Sequence, residues 1–177
     1  MRMLAMLGLL LVPVVPMSAQ SNGTEVSLRI GSLGFTSGGS SNVTAFNVGN
    51  GGGVGLGIYL SPGMAIEPSV ILSLLHSRGT SVTSLGVGLS LPIYLDKTWG
   101  HSGVYFAPAV GLRSYSYSGD ATRSQYSIGG EVGTKVRVAD QVSSRIGVTA
   151  TDWLRKGSIV SSFDLTVFLG ISVFFNK

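Results

Sequence analysis

The last alternating stretch of the chain, residues 163–175, constrains the fold more than any other part of the sequence. Every odd position in it is a large apolar residue, whereas most even positions are polar or small. A repeat of two is typical of a β-strand whose two faces meet different surroundings. At about 3.3 Å per residue the stretch is roughly 40 Å long, or about 30 Å tall if tilted near 45°, which matches the hydrocarbon layer of a bilayer. The apolar face consists of Phe163, Leu165, Val167, Leu169, Ile171, Val173 and Phe175.

Seven earlier stretches alternate in a similar way, so the pattern predicts eight strands. They cover approximately residues 25–35, 44–60, 65–76, 83–95, 104–117, 125–138 and 142–150, with turn-forming residues between them. In the first, the apolar residues change parity between Ile30 and Leu33, which predicts a β-bulge. Pro92 is expected near a strand end or a bulge, because proline cannot donate to a strand ladder. Eight strands without intervening helices predict an all-β, antiparallel up-and-down barrel.

Composition indicates which face of these strands meets water. Only 11% of the residues are charged, against about 25–35% expected of a soluble surface. The residues that alternate with the apolar ones along each strand are mostly Gly, Ser and Thr. Such small side chains suit a narrow lumen, and the apolar residues would then face lipid in a transmembrane β-barrel. A soluble, lipocalin-like carrier of an apolar ligand, with the faces reversed, is an alternative. Aromatic residues toward the strand ends are expected to form girdles at the membrane interfaces: Tyr59, Tyr94, Phe106, Tyr115, Tyr117, Tyr126, Trp153, Phe174 and Phe175.

The first 19 residues form a different kind of segment. A positive charge at Arg2, an apolar run over residues 4–15 and small residues before Gln20 are typical of a secretory signal peptide cleaved after Ala19. We therefore expect a signal peptide at 1–19 and a single β-barrel domain at 20–177. The mature part would carry a net charge of +3 and no cysteine, and no long basic run, so nucleic acid is not expected as a partner.

With these features the chain resembles the small outer-membrane β-barrel proteins of Gram-negative bacteria, the OmpA/OmpX-like eight-stranded barrels. The likeness covers nearly all of residues 25–175 and is carried by the strand pattern and by the closing strand 163–175. It implies a place in the outer membrane after export, contact with outer-membrane lipids, and recognition of the closing strand by the barrel insertion machinery. A monomer with a structural, surface-interaction or minor-permeability role is expected.

The strongest candidate site is a set of charged residues on the parity expected to face the lumen. Unpaired charges in a narrow barrel are costly, so these residues should pair with one another or meet water. Arg113 and Glu131 are expected to approach each other, and Lys135 and Arg145 to need an anion such as Glu67. We interpret the set as a charge plug that stiffens the barrel, with a gate for a small conductance as the alternative. Its members are Glu67, Arg113, Glu131, Lys135, Arg137, Arg145 and Asp164.

Catalysis is not predicted. His76 and His101 could suggest a lipid-modifying barrel enzyme, such as a lipid A deacylase or acyltransferase, but the strand assignment places them at opposite ends and neither has an orienting carboxylate. The glycines of residues 49–57 lack the Lys-Ser/Thr and the helix of a phosphate-binding loop. We interpret them as lumen space for large side chains such as Tyr59 or Phe168. No catalytic residue, metal site or cofactor is predicted.

Overall fold

The computed structural model describes residues 23–38, 45–48, 52–77, 80–96, 102–117, 123–154 and 161–175. Within them, ten strand segments form one sheet: β1 (Thr24–Gly38), β2 (Ala45–Val48), β3 (Gly52–Ser61), β4 (Met64–Ser77), β5 (Thr80–Ser90), β6 (Ile93–Tyr94), β7 (Gly103–Tyr117), β8 (Arg123–Ala139), β9 (Val142–Trp153) and β10 (Ser162–Phe175). Segments β2 and β3 both pair with the same side of β1, and β5 and β6 both lie between β4 and β7. The ten segments therefore make eight barrel strands. None of the described residues forms a helix that is long and apolar enough to cross a membrane.

Pairing between the first and last strands closes the sheet. Strand β10 runs antiparallel to β1 over its whole length, from Phe175 opposite Thr24 to Ser162 opposite Gly38. All other pairs join strands that are neighbours in sequence. The predicted antiparallel up-and-down barrel of eight strands is confirmed.

The strands are staggered around the barrel. Following paired residues from Ser27 through β3, β4, β5, β7, β8, β9 and β10 leads back to β1 at Gly38, eleven positions farther along. A stagger of this kind tilts the strands by about 35–45° from the barrel axis. Side chains that are distant in sequence and in strand order therefore meet across the narrow lumen.

Two irregularities interrupt the ladders. The register of β1 shifts between Arg29 and Gly31, so apolar side chains stay on the outer face on both sides of the predicted bulge. The interruption between β5 and β6 falls at Leu91 and Pro92, as the missing donor of proline predicts. Strand β9 extends to Trp153, three residues beyond its predicted end.

The apolar side chains at alternate positions of the strands point outward. All seven odd-numbered residues of β10 are between 37% and 58% exposed, whereas Phe168, Ser172 and Phe174 on the other parity are buried. The same division holds on β8, where Val132 and Val136 are exposed on the outside. A soluble carrier of an apolar ligand would need the opposite orientation, with these side chains inside.

Candidate functional site

The polar interior of the barrel contains three groups of side chains. We call the end of the barrel at Thr24 and Phe175 the terminus end, and the opposite end the loop end. The terminus-end group consists of Glu25, Tyr59, Tyr94, Lys135 and Phe174; the central group of Ser27, Arg29, Glu67, Tyr105, Glu131, Arg145 and Phe168; and the loop-end group of Arg113, Gln125, Trp153 and Asp164.

Lys135 is the centre of the terminus-end group. Its Nζ donates to both carboxylate oxygens of Glu25 at 2.6 Å and to the hydroxyl oxygen of Tyr94 at 2.8 Å. The Tyr59 hydroxyl donates to Glu25 at 2.5 Å. The ammonium also lies 5.1 Å from the ring centroid of Tyr94 and 5.4 Å from that of Phe174, within the range of cation–π attraction. These side chains are almost completely buried, so the ion pair is desolvated and enclosed by aromatic rings.

Arg145 joins two carboxylates in the central group. Its Nη1 donates to both oxygens of Glu67 at 3.0 Å, and its Nη2 donates to Glu131 at 2.8 Å. The Tyr105 hydroxyl donates to the same oxygen of Glu131 and accepts from Arg145 Nε at 2.6 Å. Because Glu67 is on β4 and Arg145 is on β9, the bonds between these two residues cross the lumen, whereas Glu131 is on β8, next to β9.

Two residues of β1 complete the central group. Ser27 donates to Glu67 at 3.0 Å, and Arg29 Nη2 donates to the second oxygen of Glu131 at 2.7 Å. The Arg29 guanidinium carbon lies 4.0 Å from the ring centroid of Phe168. Each carboxylate in the group therefore accepts charged and neutral hydrogen bonds, as a buried carboxylate requires.

The loop-end group is more accessible. Arg113 donates to Gln125 at 2.9 Å and stacks on Trp153, with its guanidinium carbon 3.6 Å from the ring centroid. Trp153 donates to Asp164 at 2.6 Å, and Arg113 lies 3.9 Å from the same carboxylate. The side chains of Arg113 and Asp164 are 27% and 23% exposed, whereas those of Lys135 and Glu25 are at most 1% exposed. The lumen is therefore tightly packed at the terminus end and looser at the loop end.

Glycines of the wall leave room for these groups. A Cβ at Gly55 would lie 2.6 Å from Glu67 Oε1, and one at Gly57 would lie 3.3 Å from Glu25 Cβ. Phe168 instead fits against Gly147, where a Cβ would lie 2.8 Å from its ring. The prediction that the glycines of residues 49–57 make room for Tyr59 or Phe168 is wrong, since Gly55 and Gly57 face carboxylates and Gly53 faces Ile71. Positions 49 and 51 lie outside the described residues.

The structure brings together most of the predicted lumen charges but changes their partners. The predicted approach of Arg113 and Glu131 is wrong, because in the pairing of β7 with β8 Arg113 lies opposite Gln125, six positions along the strand from Glu131. Lys135 and Arg145 are paired in register, and Glu67 binds Arg145, but the anion at Lys135 is Glu25. Arg137 lies at the end of β8 beyond the packed lumen, where it is half-exposed and pairs with Asp140 at the turn.

The sequence prediction omitted several residues of the site. Glu25 and Arg29 alternate with the outward residues of β1, and this parity could have identified them. Tyr59, Tyr94 and Phe174 were expected in the interface girdles, but they are buried in the lumen. Trp153 also faces inward, whereas Phe106, Tyr126 and Phe175 are exposed on the outer face. The side chains of Tyr115 and Tyr117 are not among those that the structure describes.

Neither of the two histidines that could suggest a lipid-modifying enzyme has a described side chain. His76 is in β4, paired with Ser81, but its side chain is not described, and His101 lies outside the described residues. Among the described residues, no three His, Asp or Glu side chains are placed to hold a metal ion. Enzymatic activity on lipids therefore stays a hypothesis.

Comparison with known proteins supports the fold. No protein family and no curated protein matches the sequence. The crystal structure of Neisserial surface protein A is similar, with a TM-score of 0.62 at 15% identity, covering 89% of this chain and 100% of that one. The chain has the fold of the eight-stranded outer-membrane barrels.

Two further solved structures share this barrel fold. The attachment invasion locus protein Ail of Yersinia pestis, in complex with the heparin analogue sucrose octasulfate, has a TM-score of 0.56 at 10% identity, covering 88% of this chain and 100% of that one. The outer membrane protein OprG of Pseudomonas aeruginosa has a TM-score of 0.56 at 9% identity, with 90% and 99% covered. At such identities the likeness concerns the fold alone.

Proposed function

We propose that the chain is an integral outer-membrane protein of a Gram-negative bacterium, with its apolar face in lipid. The outward residues of β10 support this, because they form an apolar belt about 30 Å tall, the thickness of a hydrocarbon layer. Phe163 and Tyr126 are exposed near the loop-end edge of the belt and Phe175 at its terminus-end edge, where interfacial aromatic residues are expected. Asp152 lies opposite Phe163, so a charged residue marks the loop-end boundary.

We further infer that the lumen is closed and that the protein acts as a rigid membrane anchor rather than a pore. The observation that carries this is the ion-paired packing of the terminus-end and central groups across the lumen. The charges also balance, because the three groups contain four cations and four anions: Arg29, Arg113, Lys135 and Arg145 with Glu25, Glu67, Glu131 and Asp164. A permeating ion would have to break several buried, charge-assisted hydrogen bonds, which are the stronger class.

This function includes the route by which the protein reaches the membrane. Residues 1–19 would direct export and be removed, and the closing strand 163–175 would be the segment that the barrel insertion machinery recognises. In a monomer both ends of the described chain would face the periplasm, and the loop end would face the exterior. The connections at the loop end would then carry any structural or surface interaction.

Cell fractionation combined with gel migration tests this proposal. The protein should be found in the outer-membrane fraction and should require detergent for extraction. Unboiled protein should migrate differently from boiled protein, because a closed barrel resists the detergent until heated. The mature protein should begin at Gln20. Recovery as a soluble protein without detergent would contradict membrane insertion.

A further inference from the structure

A cavity of about 160 Å³ lies in the lumen between the central and loop-end groups. It has room for about five water molecules, taking about 30 Å³ for each. The part of its wall formed by β3, β5, β7 and β8 consists largely of glycine. The lining glycines include Gly53, Gly55, Gly86, Gly88, Gly111 and Gly129.

Serine hydroxyls lie directly over glycines of the neighbouring strand in this wall. A Cβ at Gly88 would lie 2.8 Å from Ser69 Oγ, and one at Gly111 would lie 2.7 Å from Ser127 Oγ. The hydroxyls of Ser69, Ser127 and Thr151 line the cavity and make no hydrogen bond within the described part of the chain. They are therefore available to a molecule in the cavity.

Arg29 offers the strongest hydrogen-bond donors to this cavity. A guanidinium has five N–H donors, but Arg29 makes a single hydrogen bond among the described residues, from Nη2 to Glu131. Its side chain is 26% exposed although it is in the middle of the barrel, and one face is covered by Phe168. Arg145, by contrast, uses all three of its nitrogens on Glu67, Glu131 and Tyr105.

We propose that the cavity is a binding site for a small oxyanion, such as a carboxylate or phosphate, held by the free edge of Arg29 and the wall hydroxyls. The planar edge of a guanidinium matches two oxygens of such a ligand. The proposal rests on the closed lumen proposed above, because the central group forms the floor of the site. The greater exposure of Arg113 and Asp164 places the entrance at the loop end.

The strength of binding follows from the charges of the floor. Arg29 and Arg145 balance Glu67 and Glu131, so the ligand is attracted by directed hydrogen bonds and not by an excess of positive charge. The affinity for a free anion should therefore be weak, in the millimolar range. Substitution of Arg29 by Gln removes the guanidinium and its positive charge, and with them the planar edge that matches two oxygens of the ligand.

Single-cysteine variants test the site, because the chain contains no cysteine. Ser127→Cys places a thiol in the cavity wall, and Ser69→Cys repeats the measurement from another strand. The control is Ser172→Cys, since Ser172 is fully buried between Ser27 and Ser143 and its Oγ has no partner among the described residues. Each folded variant is treated with a negatively charged methanethiosulfonate reagent, with and without inorganic phosphate at matched ionic strength.

Ser127→Cys and Ser69→Cys should be labelled in the folded barrel, and Ser172→Cys only after unfolding. At a phosphate concentration of twice the Kd, about one third of the sites stay free, so labelling should slow about threefold. In an Arg29→Gln background, with folding checked by heat-dependent gel mobility, phosphate should have no effect. Failure of both wall variants to react, or equal rates with and without phosphate, would overturn the site. Labelling of folded Ser172→Cys would show that the reagent passes the central group, which would contradict the closed lumen.

Discussion

Lys135 and Glu25 lie 110 residues apart in the chain, yet two hydrogen bonds of 2.6 Å join them inside the barrel. They belong to β8 and β1, which are separated by β9 and β10. The pair therefore connects parts of the wall that share no backbone hydrogen bonds.

Removing one partner of this pair should destabilise the barrel strongly. Lys135→Met leaves Glu25 without its cation, and Glu25→Gln leaves the ammonium without its anion, so each should lower the free energy of unfolding by about 3–5 kcal/mol. The double variant should recover part of the loss, because no unpaired charge remains. Denaturant unfolding of the folded protein in detergent measures all three values. Single variants as stable as the wild type would show that the pair is not structural.

Glu131→Gln should destabilise the central group. Glu131 accepts hydrogen bonds from Arg29, Arg145 and Tyr105, and a neutral amide would leave two guanidiniums with less compensation. A loss of about 3 kcal/mol is expected. Asp140→Asn is the matched control, because the Asp140 side chain is fully exposed and pairs with Arg137 only at the surface. It should leave the unfolding midpoint unchanged.

Gly147→Ala should disturb the packing of Phe168. The new Cβ would lie 2.8 Å from the ring and 2.8 Å from the carbonyl oxygen of Val132, so either the ring or the strand must move. Overpacking of this kind costs about 1–3 kcal/mol. Gly130→Ala is the control, since its Cβ would meet nothing closer than 3.4 Å. Equal unfolding midpoints for the two variants would show that Phe168 yields without cost.

An arginine on the outer face should be costly in the middle of the belt and tolerated at its edge. Val132 and Val138 are on the same face of β8 and are 59% and 68% exposed, but Val132 is central and Val138 is next to the turn. In lipid, Val132→Arg should cost about 2–4 kcal/mol and Val138→Arg about 0–1 kcal/mol. Unfolding in phospholipid vesicles measures the difference. Similar small costs at both positions would indicate a water-exposed surface.

The alternation of apolar and polar residues in the sequence was sufficient to predict the strands, the closed barrel, the β-bulge in the first strand and the break at Pro92. Position parity reports directly on the two faces of a strand, so the outward residues of β10, the bulge after Arg29 and the break at Pro92 could be read from residue types. Parity also placed Glu67, Lys135 and Arg145 on one face. It failed for Arg137 because that residue is near the end of β8, beyond the packed lumen, where its side chain reaches Asp140 at the turn.

Partners within the lumen could not be predicted in the same way. The pairing of Lys135 with Glu25, and of Arg113 with Asp164, depends on the stagger accumulated around the whole barrel, which no local pattern records. Tyr59 was ambiguous for another reason. An aromatic residue near a strand end fits an interface girdle by position, although its parity with the neighbouring glycines places it inside.

Electrical recording in planar lipid bilayers tests most directly the claim that this is a membrane barrel with a closed lumen. Insertion is first verified by heat-dependent gel mobility of the reconstituted protein, and a known porin shows that the membrane can report single channels. The wild-type barrel should insert without producing conductance steps, because the terminus-end and central groups fill the lumen. Regular steps from the inserted wild-type protein would contradict the closed lumen.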